Sequence, residues 1–156
     1  LELVRHAEVV ELVPPDAEFL RDRLGFRISD VGVVPGGEWE MVFVRGGDYH
    51  HDVALFDDPE DTLHHVAWEM RDMNHMRDLS DVLAASGHGL EVGPVRHGPG
   101  SNVAAYFREP GGNRFEMTAD VETVGPDAEM RTHRVDEVPF CVWSDRTPPE
   151  SFRDGS

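Results

Sequence analysis

The sequence predicts an α+β fold made of two βαβββ modules whose strands pair into a cup-shaped, curved mixed sheet. Three observations predict it. Alternating apolar runs of strand length recur along the chain, interrupted twice by stripes of helical period. The order strand, helix, strand, strand, strand occurs once before the acidic turn Asp57-Asp58-Pro59-Glu60-Asp61 and again after it. Val42-Phe43-Val44-Arg45 before Gly46-Gly47 is answered by Ala105-Tyr106-Phe107-Arg108 before Gly111-Gly112, which marks an internal duplication with a period of roughly 60 residues.

The first module opens with a strand over Leu3 to Leu12. Pro14-Pro15-Asp16 is a helix start signal, and Ala17 to Leu24 places Phe19, Leu20 and Leu24 on one stripe before Gly25 ends the helix. Phe26 to Val34, Trp39 to Arg45 and His51 to Phe56 follow as strands, separated by the turns Pro35-Gly36-Gly37 and Gly46-Gly47-Asp48. The second module runs as a strand over Leu63 to Met70 and a helix over Asn74 to Ser86 with Met76, Leu79, Val82 and Leu83 as its stripe. Strands over Leu90 to Val95, Asn102 to Arg108 and Arg114 to Thr118 complete it. Residues 1–120 thus form one domain, with modules at about 1–58 and 62–120. Residues 121–156, with Pro126, Pro139, Pro148 and Pro149, show little periodicity. They are expected to pack on the domain through the apolar island Val138 to Trp143, with a flexible end.

Composition narrows the function. Hydrophobic residues at 39% and charged ones at 29% describe a soluble globular chain rather than a disordered one. A net charge of −17 opposes binding to nucleic acid or an anionic membrane and favours a small neutral or zwitterionic partner. No apolar run approaches the roughly 18 to 20 residues that span a bilayer, and no signal peptide is visible. The single cysteine, Cys141, allows no internal disulfide and fits a cytoplasmic location. Exposed sheet edges and the apolar island in a small domain favour a homodimer or homotetramer.

Nine histidines are the unusual count, and position decides which matter. His6 and His65 occupy the same place in the two modules, on the opening strands, and Glu116 lies on the closing strand of the second. Two histidines and a carboxylate on one face, with other coordination positions open, is the donor set of non-haem Fe(II) oxygen chemistry, and Mn(II) accepts the same set. Taken singly, each reads first as an ordinary histidine or a salt-bridged glutamate. The matched positions in the duplication favour the ligand reading. His50 and His64 stand beside His51 and His65, and strand alternation points them away from their neighbours. His75, His88 and His133 have no partner pattern and read as solvated.

These residues resemble the vicinal-oxygen-chelate superfamily and, within it, the type I extradiol catechol dioxygenases. The resemblance rests on Leu63-His64-His65-Val66-Ala67, on His51-Asp52-Val53-Ala54-Leu55, and on Arg96-His97-Gly98 followed by Tyr106, Arg108, Pro110, Gly112 and Glu116. It covers residue 4 to about residue 120. It implies an enzyme that cleaves a catechol ring with O2, with His6, His65 and Glu116 as ligands of Fe(II) or Mn(II). It also implies His51 as the acid–base residue and Tyr106 as a hydrogen-bond donor to substrate. His97 either bonds the substrate and its neighbours or is a loop histidine.

Most of that family carries an extra pair of repeats, whereas this sequence matches the catalytic pair plus a tail. In that it resembles the single-domain L-DOPA 2,3-dioxygenases of natural-product pathways, which implies L-DOPA as substrate. Glu8 then meets the substrate's ammonium and an arginine such as Arg96, Arg131 or Arg134 its carboxylate, or Glu8 pairs with an arginine for structure. Two alternatives share the fold. One is a metal-free protein that sequesters a small molecule such as an antibiotic. The other is a different metal enzyme such as a glyoxalase or epimerase.

Overall fold

The computed structural model describes residues 13–145 and 147–155. The strand expected over Leu3 to Leu12, with His6 and Glu8, lies outside them. In chain order the elements are α1 (Pro15–Leu24), β1 (Arg27–Val33), β2 (Trp39–Arg45), β3 (Val53–Phe56), β4 (Val66–Glu69), α2 (Met73–Ala85), β5 (Val92–Arg96), β6 (Val103–Arg108), β7 (Arg114–Ala119) and β8 (Arg131–Arg134). The architecture is α+β, with two four-stranded mixed sheets and few helices. The chain divides into two units, residues 1–58 with 123–138 and residues 59–122 with 139–156.

In the first unit the sheet order is β3-β2-β1-β8, with β8 parallel to β1 and the other pairs antiparallel. Helix α1 begins at a proline, carries Asp16 and Glu18 in its first turn and Arg21 and Arg23 in its last, and so suits the helix dipole at both ends. Gly25, at φ 74°, closes it by donating its N–H to Leu20 O. The helix packs through Ala17 and Leu20 onto Val31, Val42 and Val44. The expected stripe is therefore corrected: Phe19 and Leu24 are 57% and 58% exposed. The period was read correctly but the buried line is centred on Ala17, a residue too small to stand out in the pattern. Strand β8 has no counterpart in the sequence reading. Its four residues, Arg-Thr-His-Arg, hold no apolar alternation, and side-chain bonds to β1 hold them instead.

In the second unit the order is β4-β7-β6-β5, with β4 parallel to β7. Alternation along β6 splits the core in two. Val103 and Ala105 face Met70, Met76 and Met117 under α2, while Ala104 and Tyr106 face Val95, Cys141 and Phe152. Helix α2 starts at Asp72, whose carboxylate accepts the His75 N–H at 2.8 Å. It buries Met76 and partly buries Leu79 and Leu83, whereas Val82, expected on the same stripe, is 62% exposed. Gly93 sits at an irregularity of β5 with φ 109°, where a Cβ would fall 2.7 Å from Ala104 O. Residues beyond Pro149 return to this unit. Phe152 is buried, and Arg114, itself fully buried, donates to Ser151 O at 3.1 Å and Asp154 O at 2.8 Å.

Candidate active site

Strand pairing explains how the second unit gathers its polar residues. Tyr106 on β6 stands opposite Glu116 on β7, so the two side chains share a face. On the other side of β7, Ala67 of β4 is opposite Glu116, which sets His65, two residues earlier, beside it. His65 Nε2 lies 2.9 Å from Glu116 Oε2. Asn102, at the start of β6, donates from Nδ2 to the other glutamate oxygen at 3.2 Å and to Thr118 Oγ1 at 2.9 Å. Its Oδ1 is buried without a hydrogen-bond partner. His65 and Tyr106 meet edge to face at 5.4 Å.

Partners fix the tautomers here. His97 Nδ1 is 3.0 Å from Phe140 O, which can only accept, so Nδ1 carries the hydrogen. Burial pushes the His97 imidazole towards its neutral form, and the smaller pull of Glu116 does not reverse it. The neutral ring's Nε2 is then an acceptor, and the Tyr106 hydroxyl, 2.8 Å away, donates to it. Burial first, and then Glu116, drives the Tyr106 phenol well above its ordinary range, so it stays protonated.

The same logic applies to His64. Its Nε2 sits 2.6 Å from Phe152 O and donates to it, while burial holds the ring neutral. Arg114 Nη1 also lies 3.0 Å from that nitrogen, within hydrogen-bonding reach, and donates to Asp154 O at 2.8 Å and His64 O at 3.4 Å. The Nδ1 atoms of His64 and His65 lie 2.6 Å apart and share one hydrogen. The Nε2 of His65, on the far side of the ring from that contact, faces the Glu116 carboxylate. Two electron-pair donors at that distance call for a proton or a metal ion between them, and their types suit a divalent transition metal. Among the described residues no three potential ligands cluster, and the third expected ligand, His6, lies outside them.

In the first unit the residues preceding β3 form a second constellation. His50, fully buried, has Nε2 3.0 Å from Asp30 Oδ2, an ion-pair distance at an angle poor for a hydrogen bond, and Nδ1 2.9 Å from His51 Nδ1. His133 Nε2 reaches the same Asp30 oxygen at 2.9 Å, and Arg131 Nε reaches Oδ1 at 2.6 Å. Burial alone would raise the Asp30 carboxyl, but His50 and Arg131 outweigh it and hold the group at about 2. The expectation of a solvated His133 is therefore corrected.

His50 and His64 were also expected to point away from their neighbours. That expectation assumed strands beginning at His51 and Leu63, whereas the strands begin at Val53 and Val66. Both pairs lie in irregular backbone, where alternation does not apply. The structure brings together His65, Glu116, Tyr106 and His97. Arg96 is not among them: it pairs across β5 and β6 with Val103, on the α2 face of the sheet, and lies 3.9 Å from Asp120. A groove of about 530 Å³ along β5 and the tail, lined by Val92, Phe140, Cys141 and Trp143, includes none of the four. Sequence reasoning missed Asp30, whose signal was a lone carboxylate in the apolar run of β1, and Asn102, which gave none.

Comparison with known proteins bears on this geometry. The chain is 33% identical to Metapyrocatechase of Geobacillus stearothermophilus over 112 residues, 67% of this chain and 33% of that protein. It therefore spans about a third of the length of the curated relatives it matches. Among solved structures, the Mn(II)-bound glyoxalase from Novosphingobium aromaticivorans superposes with a TM-score of 0.75 at 30% identity, covering 87% of this chain and 44% of that one. Homoprotocatechuate 2,3-dioxygenase from Arthrobacter globiformis gives a TM-score of 0.78 at 25% identity, covering 91% and 45%. Residues 10–117 match the family described as Glyoxalase/Bleomycin resistance protein/Dioxygenase superfamily, and the chain belongs to that superfamily.

Proposed function

We propose that the protein is an extradiol dioxygenase that opens a catechol ring with O2, using a divalent metal held by His6, His65 and Glu116. The observation that carries this reading is the pairing of His65 Nε2 with Glu116 Oε2 at 2.9 Å, with Tyr106 and His97 beside it. The relatives named metapyrocatechase and homoprotocatechuate 2,3-dioxygenase support it. A protein that merely sequesters a small molecule has no use for a donor pair so arranged.

When bound, the metal would supply adjacent open positions for both catechol oxygens and for O2. The chain's own residues do the rest. His64 holds the His65 ring through the contact between their Nδ1 atoms, and Asn102 holds the far oxygen of Glu116 so that the near one faces His65. His51 takes the catechol proton and later returns it, a task suited to an imidazole near neutral pH. The Tyr106 phenol, kept protonated and aligned by His97, presents its oxygen to the substrate and can turn its hydrogen from His97 to a catechol oxygen. Catechol and O2 combine with no atom lost, so one oxygen atom ends in an aldehyde and the other in a carboxylate.

Fe(II) is the proposed metal, with Mn(II) the substitute, and L-DOPA cleaved at the 2,3 bond in a natural-product pathway is the proposed substrate. Glu8 is assigned to its ammonium. Arg96, on the other face of the sheet, is left without a substrate role. A homo-oligomer in the cytoplasm completes the proposal. No helix among the described residues is long and apolar enough to cross a membrane.

The likeness to an Mn(II)-bound glyoxalase favours a second reading, a metal enzyme of the same fold with different chemistry. One assay separates the two. The protein is loaded anaerobically with Fe(II) or Mn(II), then given O2 with L-DOPA, catechol and 3,4-dihydroxyphenylacetate. A coloured ring-opened product is expected. Metal-loaded protein that colours none of them would remove the dioxygenase reading.

A further inference from the structure

We propose that Asp30 and His50 are positioning residues that hold His51 as the Nδ1–H tautomer, with its lone pair at Nε2. The consequence for catalysis rests on the reading of His51 as the proton acceptor; the tautomer itself does not.

The argument runs through hydrogen counting. Between His50 Nδ1 and His51 Nδ1, 2.9 Å apart, there is room for one hydrogen, and its owner is set by the far end of His50. That far end, Nε2, faces Asp30 Oδ2 at 3.0 Å. The angle is poor for a hydrogen bond, but a carboxylate can only accept, so a hydrogen on Nε2 is what keeps two lone pairs from facing one another. Asp30 remains ionised, because Arg131 at 2.6 Å counters its charge from the other oxygen. Arg131 and His133 already bond the two oxygens of that carboxylate, so one hydrogen on His50 Nε2 satisfies the contact. A neutral ring protonated at Nε2 has its lone pair at Nδ1, and the shared hydrogen therefore belongs to His51 Nδ1. His51 is left with its basic electron pair on Nε2, the far side of the ring from the His50 contact.

Packing keeps both rings in this arrangement. Phe43 on β2 lies against His50 at 5.2 Å and against His51 at 5.0 Å, and the two imidazoles stand nearly perpendicular at 88°. Among the described residues, Asp30 from β1 and His51 face His50, and Arg131 and His133 from β8 reach the same Asp30 carboxylate. When His51 gains a proton at Nε2, its Nδ1–H still donates to His50, and the Asp30 charge lies one ring away. The chain of bonds thus orients the base and favours its charged form without Asp30 itself taking a proton.

The test uses the full chain, metal-free, with ¹⁵N-labelled histidine. Long-range ¹H–¹⁵N correlation spectra at neutral pH report which ring nitrogen carries hydrogen, and His51→Ala identifies the signal. The expected result is a protonated Nδ1 and an unprotonated Nε2 at His51, with the reverse at His50. His51 protonated at Nε2 instead, or a doubly protonated His50 donating to it, would overturn the proposal directly in the parent protein.

Asp30→Asn supplies the kinetic arm. Its kcat for ring opening should fall at least about tenfold with KM little changed, and the acid limb of its pH profile should move to lower pH. An unmoved acid limb and an unchanged His51 signal in that variant would also contradict the proposal. The two readings fail separately. A predicted tautomer with no ring cleavage sinks the dioxygenase assignment alone, and ring cleavage with His51 protonated at Nε2 sinks this one alone.

Discussion

His65 Nε2 and Glu116 Oε2 lie 2.9 Å apart, each held from behind, the imidazole by His64 and the carboxylate by Asn102. A donor pair so braced is arranged before any metal arrives, and the braces should matter nearly as much as the donors. His65→Ala and Glu116→Ala should each abolish tight Fe(II) or Mn(II) binding. Anaerobic titration calorimetry checks this, and parent-like affinity in either variant would contradict the ligand assignment.

Asn102→Ala keeps both donors but frees the far oxygen of Glu116. Metal affinity should drop by about tenfold to a hundredfold, with the fold retained by circular dichroism. If the loss is in stability alone, Asn102 is only a structural link between Glu116 and Thr118.

His51→Ala should keep metal binding and slow turnover by about a hundredfold or more, the usual contribution of a positioned acid or base. Turnover at the parent rate would remove His51 from the proton transfer. Calorimetry on the same variant shows whether its metal affinity is unchanged.

How much of this was legible in the sequence can be judged residue by residue. The duplication and the strand positions of β1, β2 and β7 were readable because alternation and turn residues mark them. The expected strand order put His65 at an opening strand and Glu116 on a closing one, and the β4–β7 pairing sets the two side by side. The bracing residues were not. His50 and His64 were seen as members of pairs, but the strands start two and three residues later than the apolar pattern suggests, and the loop geometry turns each first histidine onto the second. The Asp30 contacts with Arg131 and His133 join positions about a hundred residues apart through β8, a strand without a hydrophobic signature. His6 and Glu8 lie outside the described residues.

Asp30 also predicts a pH dependence of stability. Its carboxyl is held at about 2 against an ordinary 3.8, so the folded state binds a proton less readily than the unfolded chain. The stabilisation, about 2 kcal/mol, is present in full above the unfolded value and is lost as pH falls from about 3.8 towards about 2. Urea unfolding of the parent and of Asp30→Asn between pH 2 and pH 6 isolates this contribution, since the other carboxylates are common to both. Stability curves that run parallel through that window would contradict it.

Arg114 is fully buried and bonded to Glu91 at 2.8 Å and 3.0 Å, with the tail carbonyls and the Phe152 ring completing its shell. Arg114→Met should cost about 3 kcal/mol or more, because Glu91 keeps only Arg108 at 3.5 Å and the tail loses its anchor. Limited proteolysis should then cut after residue 148 faster than in the parent. A loss below about 1 kcal/mol would place the pair among the weak surface bridges.

The most direct test of the central claim is the fate of oxygen. The Fe(II)-loaded protein is turned over on L-DOPA under ¹⁸O2 and the product is read by mass spectrometry, with rapid trapping to limit exchange of the aldehyde oxygen. Both atoms of one O2 molecule in a ring-opened product is the predicted result. An oxidised product with the ring intact and no label, from protein shown to hold its metal, would contradict the account.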